Sequence, residues 1–181
     1  NTQAQSTTAQ FGSTGHYADL LNSNAVASWI SLDHEPIVAE ITDPASQFEG
    51  FYFNEPSLMQ LNWDSTAPYA CLSWNDGLFA KFQSMHGYDL ESVMAALYER
   101  DDLFAKRVRM HYHQTVSEML RTSFTGQIAD WCGRRGLAAS GHPLIEESLH
   151  IHVANFGDML KVLSEVQVPA VDLPMPEPEH M

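Results

Sequence analysis

Polar side chains that could carry acid–base chemistry follow three short segments that are predicted to be strands. They are Asn54 and Glu55 after the first segment, His142, Glu146 and Glu147 after the second, and Asp172 after the third. Two carboxyl groups on opposite sides of a glycosidic bond can hydrolyse it, because one protonates the leaving oxygen while the other attacks the sugar carbon or activates water. Glu55, together with Glu146 or Glu147, meets that requirement.

The same acidic residues also have a purely structural interpretation. Glu55 precedes Pro56 and would then begin a turn. Glu146 and Glu147 stand where a helix would start, and carboxylates are favoured near the positive end of a helix dipole. The residues alone leave both interpretations open.

Aromatic residues in the loop after the first strand suit a sugar ligand. Trp63, Tyr69 and Trp74 fall in this loop, and their ring faces could stack on the C–H surfaces of a pyranose. The alternative is that these rings pack the loop onto the rest of the fold.

Nine histidines raise the question of a metal site. His142, His150 and His152 would be the ligands of a metal-dependent hydrolase if the segment around 150 were extended. His111 and His113 lie on a predicted helix, where their directions differ by about 200°. The chain has no H-E-x-x-H motif, which disfavours a catalytic transition metal. The acidic residues that follow the predicted strands are better suited to an oxygen-ligated ion such as calcium, although no EF-hand loop is present.

The elements that must position these side chains alternate along the chain. Strands are predicted over 50–53, 137–141 and 168–172, and the helices over about 22–40, 78–86, 90–99, 101–135 and 158–166. Strands that alternate with helices indicate an α/β fold with a parallel sheet. Polar residues just past the carboxyl ends of parallel strands lie at the ligand-binding rim of such a sheet.

Local signals set the expected ends of these helices. Asn22 or Ser23 can cap the first helix, and Pro36 should kink or divide it. Gly87 and Gly136 are expected to end later helices. Along the longest helix the apolar positions recur at steps of three to five residues, at Val108, Tyr112, Val116, Met119, Phe124, Ile128 and Trp131.

Composition limits the classes of partner. The 181 residues include nine Lys and Arg against 23 Asp and Glu, for a formal charge of −14. Nucleic acids and anionic membranes require a basic face, so neither partner is expected. No apolar run approaches the roughly 20 residues that cross a bilayer. Cys71 and Cys132 cannot form a zinc site alone, and the sequence leaves a disulfide between them open.

The chain divides into three parts. Residues 1–13 form a polar lead-in that is expected to be disordered or loosely packed, and residues 174–181 a tail rich in Pro and Glu. Residues 14–173 form the folded unit. A chain that begins with Asn1 instead of Met is expected to be processed or trimmed.

Several short motifs in this unit occur together in one order. They include Gly-Phe-Tyr-Phe-Asn-Glu-Pro at 50–56 and Gly-His-Pro-Leu-Ile-Glu-Glu-Ser at 141–148, with shorter matches at 17–22, 87–90, 128–132 and 168–172. Over about residues 15–173 this pattern resembles glycoside hydrolase family 106, the α-L-rhamnosidases, and related bacterial glycosidases. The resemblance implies a TIM-barrel catalytic domain and a carbohydrate substrate.

The resemblance also implies roles for individual residues. It suggests an inverting enzyme in which Glu55 is the general acid, Glu147 or its neighbour Glu146 is the general base, and a calcium ion lies near the substrate. The substrate-binding residues would be His142, Asn54, Trp63, Trp74, Asp172 and Asp19. Asp19 would end a strand before the first helix. Asn54 departs from the Asp expected before Glu-Pro, which would alter the acid or the ion site.

A complete barrel takes about 250 residues, so this chain cannot close one alone. The sequence therefore predicts an incomplete (β/α)₈ barrel, about its third to sixth strands, with exposed parallel edges. The missing strands would come from a larger polypeptide, which we expect, or from a self-association partner. A non-catalytic carbohydrate-binding remnant is the alternative function. Enzymes of this kind are commonly exported, but the sequence does not fix the compartment.

Overall fold

The computed structural model describes residues 18–56, 58, 72–99, 101–144 and 149–172, with the backbone alone for 149–151. Helices and strands alternate along these residues, as the sequence predicts for an α/β fold. In chain order they are α1 (Ser23–Trp29), α2 (Glu35–Ala39), α3 (Pro44–Gln47), β1 (Gly50–Asn54), α4 (Leu78–His86), α5 (Leu103–Leu120), α6 (Gly126–Gly133), β2 (Ala138–His142), α7 (Leu149–Phe156), α8 (Met159–Leu163) and β3 (Val168–Pro169).

The strands form a parallel sheet in the order β1-β2-β3. β1 and β2 pair along their whole length, from Gly50 opposite Ala138 to Asn54 opposite His142. β3 pairs with β2 at two positions only. The predicted strand over 168–172 is shorter than expected. The Ala170 N–H still donates to the Gly141 carbonyl, but the next donor along β2 would be residue 143, a proline without an N–H.

α5 supplies the centre of the hydrophobic core. Its residues Val108, Tyr112 and Val116 are each at most 1% exposed, and they lie four residues apart on one face. The Tyr112 hydroxyl donates a hydrogen bond of 2.6 Å to the Ser73 carbonyl, which satisfies its polar atom within the core. All seven apolar positions predicted for this helical stretch are buried.

Two helical stretches contain a π-helical turn that the sequence analysis did not predict. Ile30–His34 joins α1 to α2, and Arg121–Thr125 joins α5 to α6. The second turn directs hydroxyl groups toward other elements, since Thr125 Oγ1 donates to the Val162 carbonyl at 2.7 Å. The first helix is divided, as expected at Pro36, which lies in the first turn of α2.

Two other helices differ from the predictions. The segment predicted over 90–99 is a 3₁₀ helix, Glu91–Leu97, whose first N–H groups are capped by Asp89. Between β2 and β3 the chain forms α7 as well as α8. Bounds were predicted for the later helix only, although the structural interpretation of Glu146 and Glu147 has a helix start there. Two predicted ends are confirmed: Asp102 caps α5 through the Ala105 N–H, and Gly87 ends α4 at a φ of 77°. The end expected at Gly136 lies earlier, because α6 ends at Gly133.

No helix in the described part of the chain is both long and apolar enough to span a bilayer. Cys132 is a buried free thiol, and burial raises its pKa. Cys71, the other half of the disulfide left open by the sequence, lies outside the described residues.

An ion-pair cluster joins α5 to α8. Glu118 accepts hydrogen bonds of 3.1 and 2.9 Å from Arg121 and lies 2.8 Å from the Lys161 ammonium, while Arg121 also pairs with Glu165. The Arg121 hydrogen bonds, and then Lys161, lower the pKa of Glu118 to about 2. The cluster therefore stabilises the folded state while Glu118 is ionised.

We expect acid to weaken this cluster measurably. The pKa of Glu118 is lower in the folded than in the unfolded chain, so its contribution is complete above about pH 4.5 and is lost as the pH falls toward 2. Glu118→Gln should lower the free energy of unfolding at pH 7 by about 1–2 kcal/mol, a value reduced for solvent screening. Urea unfolding at several pH values measures this change in the free energy of unfolding. The exposed Glu99, changed to Gln, is the control, and equal effects of both variants would contradict the prediction.

Candidate functional site

The carboxyl ends of the three strands bring polar side chains together, as the sequence predicts. A carboxylate oxygen of Glu55, a ring nitrogen of His142 and a carboxylate oxygen of Asp172 all lie within 4.8 Å of one another. Each residue follows or ends a different strand, and the parallel register sets all three at the same edge of the sheet. We call this group the strand-end cluster.

His142 is the buried member of the cluster. It ends β2 and is 1% exposed, whereas Glu55 and Asp172 are exposed. Its Nε2 lies 3.0 Å from Oδ1 of Asn54, and its ring centroid lies 5.9 Å from that of Tyr52. These contacts hold the imidazole on one face of the sheet.

Glu55 has an unusual backbone conformation for a glutamate. Its φ is 48°, in the left-handed region, while its N–H still donates a hydrogen bond of 3.1 Å to the His142 carbonyl. A β-carbon makes this region costly, and such residues cluster at functional sites. The strained conformation places the carboxylate at the strand-end cluster.

We expect Glu55→Gly to raise the free energy of unfolding by about 1 kcal/mol, because glycine adopts a positive φ readily. Asp43, at a φ of 53°, is the matched control, and Asp43→Gly should have a smaller effect because aspartate tolerates this region better. Chemical denaturation of the two variants gives the comparison. Destabilisation by Glu55→Gly would show that the glutamate is retained for the fold instead.

Four residues with predicted roles lie outside the described residues. They are Glu146, Glu147, Trp63 and Tyr69. Their roles as general base and as sugar-stacking side chains stay predictions, and so does the separation between the two carboxyl groups.

Asp19 and Trp74 lie in contacts outside the strand-end cluster. Asp19 accepts hydrogen bonds from the Leu21 N–H at 3.0 Å and from Asn75 Nδ2 at 2.7 Å. Residues 18 and 19 have no strand structure, so the strand expected to end at Asp19 is absent from the described part of the chain. The Trp74 ring packs edge-on against Phe79, with centroids 4.7 Å apart.

The three-histidine metal site expected from the sequence depends on an extended segment around residue 150. The backbone of His150 and His152 instead belongs to α7, a helix. The premise of an extended segment was therefore wrong. His142 belongs instead to the strand-end cluster, whose one nitrogen and two oxygen atoms are a donor set that could hold a divalent cation.

The sequence did not predict the contact between two histidines that lie on different helices. His86 of α4 and His111 of α5 stack with ring centroids 4.1 Å apart and planes 6° apart. His86 Nε2 lies 3.1 Å from Thr115 Oγ1, and His111 Nδ1 lies 3.0 Å from the Tyr88 hydroxyl. Burial is the main cause that lowers the pKa of both histidines, so neutral rings are favoured. The pair links two helices, and a single sequence carries no signal for such a long-range contact.

Comparison with family models and with curated proteins gives no match for this chain. Among solved structures, a rhamnosidase from Novosphingobium sp. PP1Y is similar, with 18% sequence identity and a TM-score of 0.53. The match covers 84% of this chain but only 14% of the rhamnosidase chain. At this identity the similarity concerns the fold: the chain is an α/β unit that resembles a small part of a rhamnosidase.

Proposed function

We propose that this chain is part of a glycoside hydrolase and that the strand-end cluster belongs to its sugar-binding site. The observation that supports this most directly is the convergence of Glu55, His142 and Asp172 at the carboxyl ends of parallel strands. Ligand sites of α/β folds occur at this edge. Two exposed carboxylates beside a buried imidazole offer hydrogen-bond acceptors to sugar hydroxyls.

The proposed reaction is hydrolysis of a glycosidic bond, α-L-rhamnosidic in the first instance, with inversion. Glu55 protonates the departing oxygen, while Glu147 or Glu146 removes a proton from the attacking water. Inversion requires the two carboxyl groups to be about 6.5–9.5 Å apart, whereas about 5–5.5 Å would favour a retaining mechanism with a covalent intermediate.

The proposed context is an incomplete TIM barrel. Among the described residues, β1 and β3 each pair on one side only. A parallel edge leaves backbone N–H and C=O groups without ladder partners, so further strands from a longer chain or a second copy would complete the sheet. The 14% coverage of the rhamnosidase is consistent with a longer polypeptide.

The short coverage also supports the alternative function, a carbohydrate-binding remnant without catalysis. Such a remnant keeps sugar contacts at the strand ends but lacks groups that the remainder of an enzyme supplies. Binding without turnover distinguishes it from an active hydrolase.

Binding of a divalent cation by the strand-end cluster is a second candidate function. It is favoured because the three ligand atoms lie within 4.8 Å of one another. Calcium is the ion implied by the family resemblance, although an imidazole nitrogen suits transition metals better than calcium. A bound cation would keep Glu55 ionised, so Glu55 would be a ligand and could not act as the general acid. The two roles of Glu55 therefore exclude each other.

The test uses the full chain with p-nitrophenyl glycosides, including the α-L-rhamnoside, and with free sugars in calorimetry. Release of nitrophenol supports the hydrolase, and binding of a sugar without release supports the remnant. If the chain neither binds a sugar nor releases nitrophenol, both the hydrolase and the remnant are rejected. The same assays after EDTA, and after adding back calcium or zinc, decide between the acid and the ligand role of Glu55.

A further inference from the structure

Asn54 and His142 are neighbours on one face of the sheet. They are opposite each other in the register of β1 and β2, so their side chains leave the sheet on the same side. Oδ1 of Asn54 lies 3.0 Å from Nε2 of His142. A carboxamide oxygen can only accept a hydrogen bond, so Nε2 carries the proton.

The imidazole is fixed by a second contact on the same face. Tyr52 lies two residues before Asn54, and its ring centroid is 5.9 Å from that of His142 at an angle of 38°. The Tyr52 ring limits the tilt of the imidazole, while the Asn54 amide selects the protonated nitrogen. His142 is 1% exposed, so the donor side of this hydrogen bond is shielded from bulk water, while the Asn54 side is exposed.

We propose that Asn54 is a positioning residue that acts through His142 and does not itself contact the ligand. By fixing the proton on Nε2, it makes Nδ1 of the neutral ring a hydrogen-bond acceptor. A ring nitrogen of His142 lies within 4.8 Å of the Glu55 and Asp172 carboxylates, so the fixed ring defines the inner wall of the strand-end cluster. Any effect of Asn54 on catalysis rests on the proposed function, whereas the fixed tautomer of His142 does not.

The primary test is nuclear magnetic resonance of the ¹⁵N-labelled chain. Long-range ¹H–¹⁵N spectra at about pH 8, where free histidine is neutral, identify which ring nitrogen bears the proton. We expect one Nε2–H tautomer for His142, with a slowly exchanging proton. Asn54→Leu should speed that exchange by about tenfold or more, because the acceptor is lost. Asn54→Asp should retain the slow exchange, because a carboxylate also accepts.

Asn75→Leu is the matched control, since Asn75 bonds Asp19 and should leave the His142 spectrum unchanged. A proton on Nδ1 of His142 in the unmodified chain would overturn the proposal, because the amide would then be reversed. An Asn54→Leu spectrum identical to the unmodified one would also overturn it. Circular dichroism of each variant establishes that it is folded, and the tautomer of the unmodified chain keeps the test decisive should Asn54→Leu unfold.

Sugar assays separate this proposal from the proposed function. If the unmodified chain hydrolyses a glycoside, Asn54→Leu should lower kcat by about 10–100-fold with little change in KM. Asn54→Asp should restore kcat. A raised KM with an unchanged His142 spectrum would mean that Asn54 contacts the sugar directly and would reject the positioning role. The expected spectra without sugar binding would reject the proposed function while supporting the positioning of His142.

Discussion

Glu55→Gln is expected to lower kcat/KM for glycosides with an alkyl leaving group by about 10²–10⁴-fold, the range that a general acid contributes. Glutamine keeps the size of the side chain but cannot donate a carboxyl proton to the departing oxygen. Release of reducing sugar from alkyl and p-nitrophenyl glycosides measures the effect. The loss should be smaller for the nitrophenyl substrate, because nitrophenolate departs without a proton.

Glu49→Gln is the matched control for this prediction. Glu49 precedes β1 at the end of the strand opposite Glu55, and its side chain is exposed. It should retain full activity. An equal loss for both leaving groups in Glu55→Gln would argue against proton donation and in favour of the cation-ligand role, which the EDTA assay then tests.

Sequence reasoning succeeds where the structure depends on local signals. α4 occupies the predicted residues because Gly87 ends it in a left-handed conformation that glycine adopts readily. The convergence of Glu55, His142 and Asp172 follows from the prediction of three parallel strands, since their carboxyl ends share an edge. The position of the third strand is predicted correctly but its length is not, because Pro143, which follows β2, has no N–H to extend the pairing beyond Ala170.

The predictions fail where distant residues decide the structure. The bounds of α7 were not predicted, because its buried side includes His152 and Asn155, which interrupt the apolar pattern of a core helix. The role of Asp19 in bonding Asn75 depends on a residue 56 positions away. The hydrogen bond between Asn54 and His142 spans 88 positions and requires the β1–β2 register to be known.

Gly141→Ala is expected to destabilise the fold by about 3 kcal/mol, because it forces backbone apart in a packed sheet. A β-carbon at Gly141 would lie closer than 3.0 Å to the ring and the carbonyl oxygen of Phe53, its partner across the β1–β2 ladder. Its φ of 153° is also one that other residues rarely adopt. Urea unfolding followed by tryptophan fluorescence measures the change.

The position of Gly141 makes this change a test of the site as well as of the sheet. Gly141 immediately precedes His142, so separating the strands there should also break the hydrogen bond from His142 to Asn54 and speed exchange of the ring proton. Gly133→Ala is the control: a β-carbon at this last residue of α6 meets nothing within 4 Å, and alanine should stabilise the helix by about 0.5–1 kcal/mol. If Gly141→Ala instead costs no more than about 0.5 kcal/mol, as a surface change would, then β1 and β2 do not approach as closely as their pairing requires. In that case the strand register must be revised, and with it the hydrogen bond between Asn54 and His142, because the register and the hydrogen bond both depend on the close approach of the strands at Gly141.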